Sequence, residues 1–449
     1  MNPELLRNLW LEASPLRLAL IGGVLLLVFA ATSVAPTGLA VTSTVALGLY
    51  WFFAVLWGTR SAALSVVGEI RERTWDSQKL SSIGPWDMVW GKLLGATSAN
   101  WFGALLCLPF ILLPAWRDLG GVVAVTYGFI LLGLGLFSQA VALLSSLMLV
   151  RRQTGNWRMD TFLCQVAGIG AAFAFYGAWN SVVAFMRTGE QTLGWWGFTF
   201  SANIFHLVSL LLFLGWALIG CWRAMRAELR FANGPYVWLV YLAFIAIYYA
   251  GFESLLAARV PYLHFGDFDA AWPASTIRLA LAGAALLTSA YSMVFLEPKN
   301  PVRMRWLAEQ VRAGNFYKAF LSLDAWMLSY GATLATGLAL AVTVAATGAS
   351  VLVLPVLAVL GFLTRDVAIF VLMRGRVGGK GDFAALAMIG ALYLLVPVIL
   401  NGIGLTHLLG LMLPWSHSNP LISVFSAWLQ GFAMTVWAAR YLRLTTATV

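Results

Sequence analysis

Charge is what this chain has least of. Only 10% of its 449 residues are Asp, Glu, Lys or Arg, where a soluble domain carries roughly 25%. Apolar residues make up 61% and mean hydropathy is +0.84. A water-soluble chain of this length has no way to bury so much apolar surface. A soluble catalytic domain is therefore excluded, and lipid is the solvent the composition demands. Cysteine is also scarce: Cys107, Cys164 and Cys221 lie inside apolar runs without ligand-like spacing. They read as small buried residues, not disulfides or metal ligands. Four scattered histidines, His206, His264, His407 and His417, form no His-Glu-x-x-His pair, so no metal site is expected. A phosphate loop is missing as well, since Gly378-Gly-Lys-Gly381 has neither the spacing nor the hydroxyl. The chain is expected to be no enzyme in itself and to carry no cofactor.

Aromatic residues, by contrast, are plentiful. Many of the 21 Trp stand near the ends of apolar runs, among them Trp10, Trp57, Trp116, Trp195, Trp196, Trp272 and Trp415. Indole rings favour the headgroup region, so anchoring is the first reading and an aromatic-lined ligand path the second. A bilayer core needs about 20 apolar residues per helix. Twelve runs qualify, at 16–35, 39–58, 92–115, 121–150, 161–184, 199–222, 236–256, 273–296, 324–347, 350–373, 383–403 and 419–439. The long run at 121–150 is expected to tilt or to contain an interfacial turn. The fold class is thus all-α, a polytopic membrane protein. The first run is read as a retained helix although Ala31–Ala35 resembles a cleavage site, because its removal would spoil the loop charge alternation.

Twelve spans place 24 of the 28 Lys and Arg on one side, Arg365 included, and leave Arg117, Arg187, Arg259 and Arg278 on the other. The positive-inside rule then expects both termini in the cytoplasm of a bacterial inner membrane. The net charge of +10 is accordingly a topology signal that calls for no nucleic acid. Two pairs of membrane exits are alike. Leu147–Asp160 matches Val371–Asp382 in running from apolar to basic to Gly and then Asp, and Gly215–Arg223 matches Gly431–Arg440. Each half also has its longest loop after its second span, at 59–91 and 297–323. The expectation is two parallel six-helix pseudo-repeats, 1–230 and 231–449.

The first long loop, Gly68–Leu94, is the most informative stretch. Glu69, Arg71, Glu72, Arg73 and Asp76 crowd into one or two turns and cannot sit in hydrocarbon. Thr74 and Asp76 are cap or turn candidates, and Gly84-Pro85 breaks the chain. Trp86, Val89, Trp90 and Leu93 then recur at helical spacing, which predicts an interfacial helix. With Glu72, Arg73, Thr74, Leu80, Pro85, Gly91, Lys92, Leu93 and Leu94, this stretch resembles the coupling region of the permease subunits of type-2 ABC exporters. It departs from their pattern in having no Gly before Thr74 and in placing Trp75 after it. The resemblance implies ATPase-coupling roles for Glu69, Glu72, Arg73, Thr74, Asp76, Pro85 and Lys92. It also implies separate ATPase subunits, two copies, which would carry the ATP and Mg. The second-half segment, Glu297–Lys318, is basic and amphipathic and lacks the Glu-Arg-x-Thr signature.

Charges inside spans are candidates for a pathway or for structural pairing. Arg278 opens the eighth span, Glu253 closes the seventh and Asp324 opens the ninth; Arg365 and Asp366 sit in the tenth, adjacent and so expected on different helical faces. Asn100 and Asn180 are weaker polar candidates. Two further functions stay open: an ion-coupled secondary carrier, and an integral membrane enzyme using His264, Asp267 and Asp269. A carrier is expected to place carboxylates or His near the midplane, and it would lack the Gly-x-Leu-x-Asp-Arg loop of the major facilitators here.

Overall fold

The computed structural model describes residues 2–34, 38–150, 157–187, 192–231, 233–257, 273–347, 353–414 and 420–444. It is 87% helical, and its described strands are one short hairpin, β1 (Thr192–Trp195) and β2 (Phe198–Ser201). Eleven described helices are long and apolar enough to cross a bilayer, so the chain is an all-α polytopic membrane protein. By contacts the described chain divides into two compact units, one of residues 1–193 with 199–233 and one of residues 194–198 with 234–449.

In the first unit an amphipathic helix, α1 (Pro3–Glu12), precedes the spans. The Asn2 side chain caps it by accepting from the amides of Glu4 and Leu5, and Pro3 sits where its missing N–H costs nothing. Then come α2 (Pro15–Ser33) and α3 (Gly38–Arg71). The short helices α4 (Trp75–Lys79) and α5 (Pro85–Trp90) follow. Four long helices complete the unit: α6 (Ser98–Leu119), α7 (Gly121–Val150), α8 (Trp157–Arg187) and α9 (Ala202–Glu228). The run at 121–150 holds no interfacial turn; α7 is one unbroken helix of 30 residues. It forms the axis of the unit, packing against α3, α6, α8 and α9 through Ile130, Leu131, Leu134, Leu143 and Leu147. The loop expected from residue 59 begins only after Arg71, because α3 continues as helix beyond the apolar run.

Inside α3, Trp51–Trp57 is a π-helical turn. Such a turn disturbs the regular ladder, and a carbonyl orphaned in hydrocarbon costs several kcal/mol. Three consecutive carbonyls there accept from side chains. Gln139 Nε2 on α7 donates to Ala54 (2.8 Å), Thr59 Oγ1 to Val55 (2.6 Å) and Gln165 Nε2 on α8 to Leu56 (2.9 Å). Gln139 is fully buried, and its own oxygen accepts from Trp101 Nε1 at 2.9 Å.

The second unit contains α10 (Tyr236–Ala250), α11 (Glu253–Ala257), α12 (Ala274–Leu296), α13 (Pro301–Arg312) and α14 (Phe316–Leu321). It continues with α15 (Ala325–Ala346), α16 (Val353–Val377), α17 (Gly381–Gly402) and α18 (Pro420–Leu444). The seventh expected span, 236–256, is cut short. At 15 residues, α10 measures about 22 Å against a hydrocarbon core of about 30 Å. Two tryptophans meet its end: Trp195 Nε1 donates to the Tyr248 carbonyl (3.0 Å) and Trp196 Nε1 to that of Ile247 (3.1 Å). They take the place water would take at a helix C-terminus. The most buried helix of this unit is α16, which packs most extensively on α18. Counting α10, both units pair their second spanning helix with the third and their fourth with the sixth.

Replacing Gln139 with Leu strands the Ala54 carbonyl and the Trp101 indole at once. The substitution is expected to cost about 1–3 kcal/mol, read as a lower midpoint of thermal unfolding in detergent. Unchanged stability would mean the π turn satisfies itself.

Candidate functional site

The best-defined polar site of the first unit is built where α1, the end of α3 and the start of the third span converge. After α5 the chain makes a second π turn, Gly91–Gly95, and α1 lies directly on it. Contact this close needs small residues. A Cβ at Gly91 would lie 2.5 Å from Glu4 Cγ, and one at Gly95 would lie 2.7 Å from Asn8 Cβ. Two glycines four residues apart thus receive two polar side chains four residues apart on α1.

Between the glycines stands Lys92, completely buried. Its ammonium donates to Glu4 Oε1 (3.3 Å), to the Ser65 carbonyl (3.0 Å), to Gln78 Oε1 (3.1 Å) and to Glu69 Oε2. The indole of Trp75 covers it, with the ring centroid 5.2 Å from Nζ. The two carboxylates are held in turn. Arg7 donates to Glu4 (3.0 Å) and Glu69 (2.5 Å), Asn8 to Glu4 (3.1 Å) and Gln78 to Glu69 (2.6 Å). Two acids thus share two bases: Glu4 Oε1 accepts from Arg7, Asn8 and Lys92, and both Glu69 oxygens have donors, the partnering a buried ion cluster requires. Asn2 adds a bond from its amide to the Asp87 carbonyl (2.6 Å), so α1 is tied to both ends of the α5 region.

The expected coupling residues separate into a buried base and an exposed tip. Glu69 and Lys92 form the base, while Glu72, Arg73, Thr74 and Asp76 stand exposed beyond it. Leu80, 89% exposed, projects among them. Asp76 pairs with Lys79 at 2.7 Å on the surface of α4. Thr74 precedes α4, but its hydroxyl bonds back to the Glu69 carbonyl (3.2 Å) and does not cap α4. Pro85 opens α5 at the first helical position. Val89 and Leu93 are buried, whereas Trp86 and Trp90 face outward, with Trp86 stacked on Trp222 at 5.7 Å.

The missing glycine before Thr74 has a conformational answer. Arg73 has φ +60°, and it sits at the C′ position of α3. Its N–H bonds to the Ile70 carbonyl (3.1 Å) and that of Thr74 to the Glu69 carbonyl (2.9 Å). That is a Schellman stop, a position where glycine is at home. Trp75, the other departure, is the lid over Lys92.

The remaining charges lie in the second unit. Arg278 and Glu253 form an ion pair (Nη2–Oε1 2.5 Å), with Trp196 stacked on the guanidinium at 4.7 Å. Asp324 pairs with Arg303 at 2.8 Å. Arg365 and Asp366 require a correction. Although neighbours in sequence, they bond to each other, Arg365 Nε to Asp366 Oδ1 at 2.9 Å, because the long arginine side chain curls across the helix face. Both are buried halfway along α16, so Arg365 belongs to no loop and does not count as a topology charge. Asp366 Oδ2 also accepts from Tyr291 (2.8 Å) and Tyr393 (2.9 Å), and Arg365 Nη1 donates to Gln430 (2.9 Å).

Asn100 is buried and donates to Ser61 (2.8 Å), whereas Asn180 is exposed. Cys107, Cys164 and Cys221 are buried free thiols. His206 is buried between Phe175 and Trp179. Among the described residues no three His, Cys, Asp or Glu gather as a metal site. His264, Asp267 and Asp269 lie outside the described residues. Sequence reading missed Glu4, Arg7, Asn8 and Gln78. The available signal was Glu4-x-x-x-Asn8 on a Pro-initiated helix, set against Gly91-x-x-x-Gly95. Comparison of this chain with family models, curated proteins and solved structures gives no match.

Lys92→Met leaves Glu4 and Glu69 buried around an apolar side chain. The expected cost is about 3–5 kcal/mol, seen as a large fall in unfolding midpoint or loss of monodisperse protein in detergent. Arg73→Gly should act in the opposite sense, raising stability by about 1 kcal/mol by relieving the left-handed backbone. A destabilised glycine variant would show that the arginine side chain, not the backbone, is what matters there.

Proposed function

We propose that the chain is the transmembrane permease subunit of an ATP-driven ABC exporter of the bacterial inner membrane. Its termini would be cytoplasmic, and ATP and Mg would be bound by two copies of a partner ATPase. The carrying observation is the exposed tip, Glu72 to Leu80, anchored through Glu69 and Lys92 to α1, α3 and the third span. A single exposed Leu among charges is a natural anchor for a partner's pocket. A tip joined to two spans by buried ion pairs can carry a push from a soluble motor into the bilayer. In this reading ATP binding closes the ATPase pair, the tip is displaced, and α3 and α6 move with it. No covalent chemistry falls to this chain.

One observation favours a second reading, an ion-coupled secondary carrier. Asp366 is a buried carboxylate near the midpoint of α16, at the depth where ion-coupled carriers place their sites. Its donors are all side chains of the same unit.

A tagged chain extracted in mild detergent is expected to retain an ATPase that carries a phosphate loop. Glu72→Ala with Arg73→Ala, and separately Leu80→Asp, should lower its recovery at least ten-fold while leaving the permease monodisperse. Mass spectrometry of the co-purifying proteins reads the result. Absence of any ATPase from several detergents, together with transport in proteoliposomes that Asp366→Asn abolishes, would replace the exporter with the carrier.

A further inference from the structure

The connector between α12 and α15 differs in character from its counterpart in the first unit. Helix α13 has 12 residues and buries none of them. Only its Met304 side packs against the core of the unit, and Arg303 fixes its start by donating to the Ser322 carbonyl (2.9 Å) and pairing with Asp324. Large apolar side chains are left outside: Trp306, Val311, and above all Val302, Phe316 and Tyr317, each 68% exposed. The basic residues Arg303, Arg305, Arg312 and Lys318 outnumber the one acid, Glu309. In the Glu69–Trp90 connector the balance is reversed, with four acids against three bases.

Exposed aromatics interleaved with Arg and Lys match the bilayer interface, where rings sit at headgroup depth and cations meet lipid phosphates. The chain itself holds the segment there, because α12 ends at Leu296 and α15 begins at Ala325, both membrane-spanning helices. We propose that Pro301–Leu321 is a docking surface for anionic lipid. Trp306, Phe316 and Tyr317 would sit among the headgroups, and Arg312 and Lys318 would face the lipid phosphates. Neither Arg312 nor Lys318 has an ion-pair partner among the described residues. The proposal does not rest on the exporter reading, since any multi-span chain with this connector would bind the same lipids.

The test uses the full chain with a cysteine in place of Trp306. The three native thiols are buried, so a polarity-sensitive dye can be directed to that position. The labelled protein is placed in nanodiscs of phosphatidylcholine alone or with about one third phosphatidylglycerol. The dye is expected to shift to shorter wavelength only with the anionic lipid, and 0.5 M salt should reduce the shift. Arg312→Gln and Lys318→Gln should each lower the ratio of shielded to exposed label about five-fold. Equal emission in both lipid compositions overturns the proposal, whether the dye is shielded or exposed. A composition-dependent shift that survives both glutamine substitutions overturns the assignment to these residues. Shielding that appears only with a co-purified soluble protein would assign the surface to a protein partner.

Discussion

A polar atom placed in hydrocarbon has no water to accept from or donate to, and this constraint shapes both units. It explains why the π turn in α3 brings with it Gln139, Thr59 and Gln165, one for each of three successive carbonyls. It also explains why buried charges come in partnered sets. Lys92 has four acceptors, Asp366 has Arg365, Tyr291 and Tyr393, and Asp382 has Lys299 at 2.8 Å and Arg374 at 3.5 Å. Several kcal/mol of desolvation per ion must be offset, so such clusters add little net stability over apolar packing. What they add is register. The placement of α1 on Gly91–Gly95 lets Glu4, Asn8 and Lys92 bond together.

That register gives the first connector its mechanical character. Its base is a closed ion cluster on two spans and α1, so it resists displacement relative to them. Its tip begins at the Schellman stop of Arg73 and presents Glu72, Asp76 and Leu80 to solvent. Glu69 of α3 pairs with Lys92 at the approach to the third span, so the tip rests on both. The left-handed Arg73 is a local cost, of the order of 1 kcal/mol, accepted where a glycine would relieve it.

Much of this was legible in the residues. Long apolar runs located every long span, because a bilayer fixes the needed length in advance. The connector's charges also marked the place of the site. The ends of elements were less legible. The end of α10 depends on the distant Trp195 and Trp196, and α3 runs on past its apolar stretch because helix propensity outlasts hydropathy. The pairing of Arg365 with Asp366 was one of two roles the residues left open, and it forms because the arginine is long enough to reach across the helix to its neighbour. Glu4 and Arg7 carried no signal of their own. A short amphipathic helix looks like any interfacial anchor until its glycine partners are known.

The two connectors also differ in what they offer. One is a compact, mixed-charge tip on an ion-paired base. The other is a basic helix whose exposed face is aromatic and whose buried contribution is small. A surface complementary to the first, matching mixed charges and receiving one Leu, does not match the second's excess of bases and has no place for its rings. Two identical soluble partners therefore could not engage both connectors through the same contacts. If the proposed ATPase pair works on this chain, the two connectors must be used differently. Either the second is left to the membrane, or a second copy of the chain supplies another such tip. On that reading, divergence between two similar helical units is more than lost similarity: the push would fall to one connector and the proposed lipid anchor to the other.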